Sequence, residues 1–143
     1  MATEPMSVKV TVKTDITDDN AREQMGVTGR GKCYDNGDSL VLIFNEQDED
    51  GNSVKNMTTI TSDKVTIKRK GTVKMNQIFR ENRATESTYY HPYGTMHMET
   101  KTNQIDFSRS GNGDEGRLSI SYSLSLNQQE PQRHKLTLTY ERE

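Results

Sequence analysis

Polar and apolar residues alternate with a two-residue period along most of the chain. The clearest run extends from Leu118 to Leu126, where five large side chains alternate with four serines. This period is typical of a strand with one buried face, because helical spacing would spread the large side chains around the whole cylinder. No long window of the sequence shows a helical stripe. The pattern therefore predicts an all-β fold.

Several other segments show the same alternation, some of them less regularly. They predict strands near residues 8–13, 24–34, 40–46, 54–61, 64–68, 73–79, 87–91, 96–99, 104–108 and 136–140. Clusters of Gly, Asn, Asp and Pro predict turns at residues 35–38, 50–52, 70–71, 92–94 and 111–113. Strands joined by such short turns favour a single antiparallel up-and-down β-barrel of about eight to ten strands. We expect residues 1–143 to form this one domain.

The composition agrees with a barrel that buries one face of its sheet. Hydrophobic residues make up 29% of the chain, which is low, but a closed sheet needs apolar side chains on its inner face only. The formal net charge of −2 excludes a globally basic nucleic-acid binder, so nucleic acid is not an expected partner. The sequence contains neither a long apolar span nor an apolar leader segment. We therefore expect a cytoplasmic protein with no membrane partner.

Two motifs in the sequence look chemical but lack their required context. The glycines Gly111, Gly113 and Gly116 match the dinucleotide fingerprint, yet a serine-rich strand follows them where that fingerprint needs a helix. The acidic segment 46–51 resembles a calcium loop, but its twelfth position is Met57 instead of the required glutamate. We interpret both segments as hairpin turns, and we expect no cofactor.

No catalytic or metal-binding constellation is evident in the sequence. The single cysteine, Cys33, allows neither an internal disulfide nor a site with several thiolate ligands. His91 and His97 flank a predicted turn, but His97 shares its face with charged residues and is expected to point outward. His134 has the parity of Leu136 and is expected to face the barrel interior. We therefore predict no metal site and a protein that is not an enzyme.

Three segments resemble a known family. They are KGTVKMNQIF (70–79), GRLSISY (116–122) and HKLTLTYE (134–141). On these segments the chain resembles the YwiB-like family of small uncharacterised bacterial proteins, which carry a domain of unknown function. The resemblance implies a lipocalin-like, calycin-type β-barrel, and it implies no activity because none is assigned to the family.

A methionine-rich interior is the main candidate for a binding site. Flexible, polarisable methionines adapt to ligands of varied shape, and a few buried polar groups orient such ligands. The predicted function is therefore non-enzymatic binding of a small apolar or amphipathic molecule, although methionines that merely fill a small core remain an alternative. The candidate residues, in the barrel interior and at its mouth, are Met57, Met75, Gln77, Phe79, Arg80, Tyr89, Met96, Met98, Tyr122, His134 and Tyr140.

A basic segment provides an alternative function. Residues 64–83 contain seven basic residues and one acidic residue, a net charge of +6, whereas residues 15–50 carry a net charge of −7. Such asymmetry can mark a surface that docks protein or RNA, two patches that meet in a homodimer, or an ordinary solvated face. The alternative prediction is an interaction module that uses a basic hairpin face. Its candidate residues are Lys64, Lys68, Arg69, Lys70 and Lys74.

Overall fold

The structure, a computed structural model, describes residues 4–18, 21–47 and 51–143, and in these ranges it contains ten β-strands. The strands are β1 (Met6–Thr17), β2 (Arg22–Asp35), β3 (Ser39–Gln47), β4 (Ser53–Thr61), β5 (Val65–Lys70), β6 (Lys74–Phe79), β7 (Arg83–His91), β8 (Gly94–Arg109), β9 (Glu115–Leu126) and β10 (Gln132–Arg142). No helix in the described ranges has the length and apolar character needed to cross a membrane.

The strands form one closed antiparallel barrel with up-and-down topology. Every strand pairs with its neighbours in sequence, and β1 also pairs with β10, from Val8 with Arg142 to Thr17 with Arg133. The predicted all-β, antiparallel, up-and-down barrel is therefore confirmed. Residues 48–50, part of the predicted acidic hairpin tip, lie outside the described ranges.

One strand replaces two of the predicted strands. The segments 96–99 and 104–108 both belong to β8, which is 16 residues long. A register shift against β9 occurs between Thr102 and Gln104. Such a bulge bends a strand and increases its twist without ending it, and this explains why the alternation breaks while the strand continues.

The barrel has two different ends. We call the end that carries the β2–β3, β4–β5, β6–β7 and β8–β9 turns the closed end, and the other end the open end. Buried apolar side chains on the inner face of the barrel fill the closed half. They include Val10, Cys33, Leu40, Leu42, Val65, Phe79, Leu118, Leu138 and Tyr140.

The seam between β6 and β7 is the weakest part of the wall. Within residues 51–143, these two strands share two ladder pairs, Lys74 with Tyr90 and Met75 with Tyr89. Farther along the seam the Thr85 hydroxyl donates a hydrogen bond to the carbonyl of Ile78. Side chains therefore complete the closure where the backbone ladder is short.

Two of the predicted side-chain orientations are wrong. The inward positions of β4 are Val54, Asn56, Thr58 and Ile60, so Met57 lies half-buried on the outer face. Arg69 was expected on the basic surface, but it shares the inward face of β5 with Val65 and Ile67 and forms an ion pair inside the barrel. Both strands keep their two-residue period, but some of their inward positions hold polar side chains. Inside the barrel, Asn56 and Arg69 bind to Glu46 of β3.

Candidate functional site

A cavity of about 240 Å³ lies inside the open half of the barrel. It forms because inward residues of β1 to β6, β9 and β10 surround a space that the core side chains of the closed half do not fill. Its rim includes Met25, which is 55% exposed. The apolar part of its wall consists of Val12, Met25, Val27, Ile67, Met75, Leu136 and Leu138.

A charged network forms one wall of the cavity. The Glu46 carboxylate accepts hydrogen bonds from Arg69 Nε at 3.1 Å and Nη2 at 3.2 Å, and from Asn56 Nδ2 at 2.8 Å. The Thr58 hydroxyl in turn donates to Asn56 Oδ1 at 2.8 Å. The Glu46 side chain is 8% exposed and that of Arg69 is 28% exposed. This pairing neutralises both charges, so the wall is polar without adding net charge to the interior.

Gln77 is the polar side chain on the β6 side of the cavity. Its Nε2 donates to Thr100 Oγ1 at 2.9 Å, so this hydrogen bond connects β6 to β8 past the intervening β7. Met75, the next inward residue of β6, also lines the cavity. The hydrogen bond therefore holds the Gln77 amide in place next to the flexible side chain of Met75.

Tyr122, which lines the cavity, belongs to a row of three buried polar residues. Thr102, Tyr122 and His134 occupy paired inward positions on β8, β9 and β10. The rings of Tyr122 and His134 are 5.1 Å apart. Within residues 51–143, Thr102 Oγ1 and His134 Nε2 are buried and have no hydrogen-bond partner. Burial lowers the pKa of His134 and raises the pKa of Tyr122, because both charged forms would be poorly solvated.

The structure brings three of the predicted residues to the cavity, namely Met75, Gln77 and Tyr122. Phe79 is fully buried and packs edge-on against Tyr122 with ring centroids 4.9 Å apart. Arg80 lies in the β6–β7 turn at the closed end. Met98 is also buried, and Met96 is half-buried on the same face of β8.

Tyr140 lies at the opposite end from the cavity. Its hydroxyl accepts a hydrogen bond from Arg109 Nε at 3.1 Å, and Arg109 also forms an ion pair with Asp35 at 2.8 Å. Cys33 is buried in the same closed half, and burial raises the pKa of its thiol. Among the described residues, no group of three or more His, Cys, Asp or Glu side chains could hold a metal ion.

Aromatic side chains extend past the rim at the β7–β8 turn. The rings of Tyr89 and His91 are 6.0 Å apart, and those of His91 and Tyr93 are 5.2 Å apart. The backbone N–H of Tyr93 donates to His91 Nδ1 at 3.2 Å, which orients the central ring. Tyr93 is 95% exposed. Tyr89, at the buried end of this stack, is half-buried and directly opposite Met75, but it is not among the residues that line the cavity.

The remaining residues of the predicted basic surface face outward. Lys68, Lys70 and Lys74 are exposed and Lys64 is half-buried. Lys74 Nζ lies 5.9 Å from the centre of the Tyr90 ring. Without Arg69, this surface is a set of lysines on the outer wall next to an aromatic ring.

Sequence reasoning missed Glu46, Asn56 and Thr58 as parts of the site. A signal was present, because Glu46 continues the parity of Leu40, Leu42 and Phe44 on β3, and all four are buried. A charged residue on an apolar face predicts a buried partner of opposite charge. Arg69, which continues the apolar face of β5, could have been identified as that partner.

Comparison with known proteins identifies the family of the chain. A family model described as "Domain of unknown function (DUF1934)" matches residues 10–138, and the chain belongs to this family. It is similar to the uncharacterized beta-barrel protein YwiB of Bacillus subtilis (strain 168), with 29% identity over 130 residues that cover 91% of this chain and 89% of the relative. The crystal structure of the ywiB protein from Bacillus subtilis matches with a TM-score of 0.87 and 27% identity, over 99% of this chain and 95% of that chain. The predicted family and barrel fold are confirmed, and neither description states an activity.

Proposed function

We propose that the protein is a non-enzymatic binder of a small amphipathic molecule, held in the cavity at the open end of the barrel. The observation that carries this proposal is the cavity itself, about 240 Å³ with a mainly apolar wall and a few fixed polar groups. Ligand sites in proteins combine these two features, and their usual volume is about 300–1,000 Å³. The volume here favours a ligand smaller than a typical drug.

The polar groups at the cavity favour a ligand with a neutral polar end. Glu46 and Arg69 neutralise each other, and the lowered pKa of nearby His134 keeps that ring uncharged at neutral pH. An anionic or cationic head group would lose its hydration there without gaining an unpaired opposite charge. A hydroxyl or amide could instead bond to Gln77 or Tyr122, which line the cavity.

Four further points remain predictions. They are the lipocalin-like character of the barrel, the cytoplasmic location, the absence of catalysis and the homodimer. An up-and-down barrel with one filled end and one hollow end supports the first of them, since lipocalin-type barrels hold a small ligand inside. This support comes from architecture alone.

Native mass spectrometry of the protein purified from its host is the first test. A mass excess that disappears on denaturation identifies a retained molecule and its size. The second test measures thermal shifts with 1-octanol, octylamine and octanoate, which share one apolar chain and differ in the charge of the head group. We expect 1-octanol to raise the melting temperature most.

A matched pair of variants links binding to the cavity. Val12→Phe places a larger ring at an inward position that lines the cavity, and Val41→Phe places the same ring on the outer face of β3. We expect the thermal shift with 1-octanol to disappear in V12F and to persist in V41F. Equal shifts in both variants, or no shift in the unmodified protein together with a clean apo mass, would contradict the proposal.

A further inference from the structure

Three lysines lie side by side on the outer wall of the barrel. Lys55 on β4 is directly opposite Lys70 on β5, and Lys70 is directly opposite Lys74 on β6. All three are exposed. Neighbouring strands are about 4.8 Å apart, so the row presents three positive charges within about 10 Å. We call these residues the lysine row.

Nothing in the described ranges neutralises the lysine row. None of the ion pairs within residues 4–18, 21–47 and 51–143 includes Lys55, Lys70 or Lys74. Elsewhere on the outer wall, lysines face acidic residues, as Lys9 faces Glu141 and Lys135 faces Asp15. Like charges that lie directly opposite each other destabilise a sheet. The row thus lowers the stability of the free barrel, and a bound polyanion would relieve this repulsion.

The lysine row ends at an aromatic ring. Tyr90 on β7 is directly opposite Lys74 on β6, in register with the row. Tyr90 is 50% exposed, and Lys74 Nζ lies 5.9 Å from the ring centre. The outer wall therefore offers a line of positive charges followed by an accessible flat aromatic surface.

We propose that this surface binds single-stranded nucleic acid, with phosphodiester groups along the lysine row and one base stacked on Tyr90. Proteins that bind single strands combine a basic track for the backbone with aromatic rings on which bases stack. The formal charge of the whole chain is −2, but electrostatic attraction at contact depends on local charge because salt screens distant groups. The proposal therefore concerns one face of the barrel.

The surface is independent of the cavity. Its residues point outward, whereas the inward residues of the same three strands, including Asn56, Arg69 and Met75, line the cavity. The two proposals can therefore fail separately. Variants of the lysine row leave the cavity wall intact.

Fluorescence anisotropy with end-labelled oligouridylate and oligothymidylate of about 12 nucleotides tests the proposal. Three phosphate contacts predict a slope of about −2 for log K against log salt, so a tenfold rise in salt lowers the association constant about a hundredfold. Binding to RNA alone, to DNA alone or to both supports the proposal and shows whether the 2′-hydroxyl contributes. Absence of binding at low salt overturns it.

Two sets of variants locate the binding surface. Lys55→Gln, Lys70→Gln and Lys74→Gln together should abolish most of the salt dependence. The control variant Lys13→Gln, Lys101→Gln and Lys135→Gln removes the same charge from exposed lysines on other strands and should bind as the unmodified protein does. An equal loss in both triple variants would show only a response to net charge and would overturn the proposal.

The aromatic contact separates nucleic acid from other polyanions. Tyr90→Ala should weaken oligonucleotide binding by about fivefold or more, whereas Tyr90→Phe keeps the stacking ring and should bind normally. Inorganic polyphosphate and polyglutamate serve as polyanions without bases. If either binds as tightly as the oligonucleotides and Y90A has no effect, the surface recognises charge alone and the proposal is wrong.

Discussion

Removing Arg69 tests whether the charged network inside the barrel is a buried structural element. Arg69→Met keeps an unbranched side chain and leaves the Glu46 carboxylate, 8% exposed, with Asn56 as its remaining partner. Breaking a buried ion pair on one side costs about 3–5 kcal/mol. Because the Arg69 side chain is 28% exposed, solvent screens part of this interaction. We therefore expect the free energy of unfolding to fall by about 2–4 kcal/mol.

Urea unfolding followed by circular dichroism measures this change, since the chain contains no tryptophan. For a barrel of this size, a loss of about 3 kcal/mol lowers the melting temperature by about 10 °C. A second substitution, Glu46→Gln, should restore much of the stability of R69M by removing the unpaired charge.

The control for this prediction is Lys68→Met. It removes the same charge from the same strand, but its side chain points outward and is exposed. We expect a change within about 0.5 kcal/mol. If R69M and K68M lost the same stability, the Glu46–Arg69 pair would be solvated in practice, and the assignment of a neutral polar wall to the cavity would be refuted.

Two further predictions concern the barrel interior. Burial lowers the pKa of His134, so the unfolded chain binds its proton at higher pH than the folded chain does, and stability falls as pH decreases from about 6.5. His134→Phe should flatten this decline below about pH 6.5 in urea titrations, and an unaltered slope in H134F would contradict the assignment. Gly116→Ala would place a methyl group 2.2 Å from the Tyr140 ring and should cost about 1–3 kcal/mol in thermal unfolding. Gly111→Ala has open space around it, so equal losses in the two alanine variants would show that the ring simply moves aside.

The periodicity of the sequence was sufficient to predict most of the barrel wall. In β9 and β10 the large residues Leu118, Ile120, Leu136 and Leu138 were assigned to one face, and all four are buried. This worked because the alternation there is strict and the opposite faces carry Ser, Thr and Lys. Alternation is a local property, so one strand suffices to identify its inner face.

The sequence was less informative where polar residues point inward. In β4, Val54 and Ile60 share the buried parity with Asn56 and Thr58, but the large apolar Met57 on the other face suggested the opposite orientation. The interior tolerates Asn56 because Glu46, ten residues earlier, accepts its hydrogen bond. Such a partner becomes evident only when the pairing of β3 with β4 is known.

The cavity itself could not be predicted from the pattern. Met75, Gln77 and Tyr122 were expected to face inward, and they do. Whether inward side chains fill a barrel depends on how the strands are staggered and where large rings such as Phe79 pack. In this chain the large aromatic rings pack mainly in the closed half, and the cavity lies in the open half.

The short ladder between β6 and β7 has a consequence for how the chain folds. These strands are joined by a turn of three residues, 80–82, so bringing them together costs little loop-closure entropy even though their ladder is short. By contrast, β1 and β10 pair over most of their lengths, and Thr17 and Arg133 are 116 residues apart in sequence. Because pairing of distant segments slows folding, we expect the joining of β1 to β10 to be a slow step in refolding. We expect the β6–β7 seam, with its short ladder, to open locally more readily than the rest of the sheet.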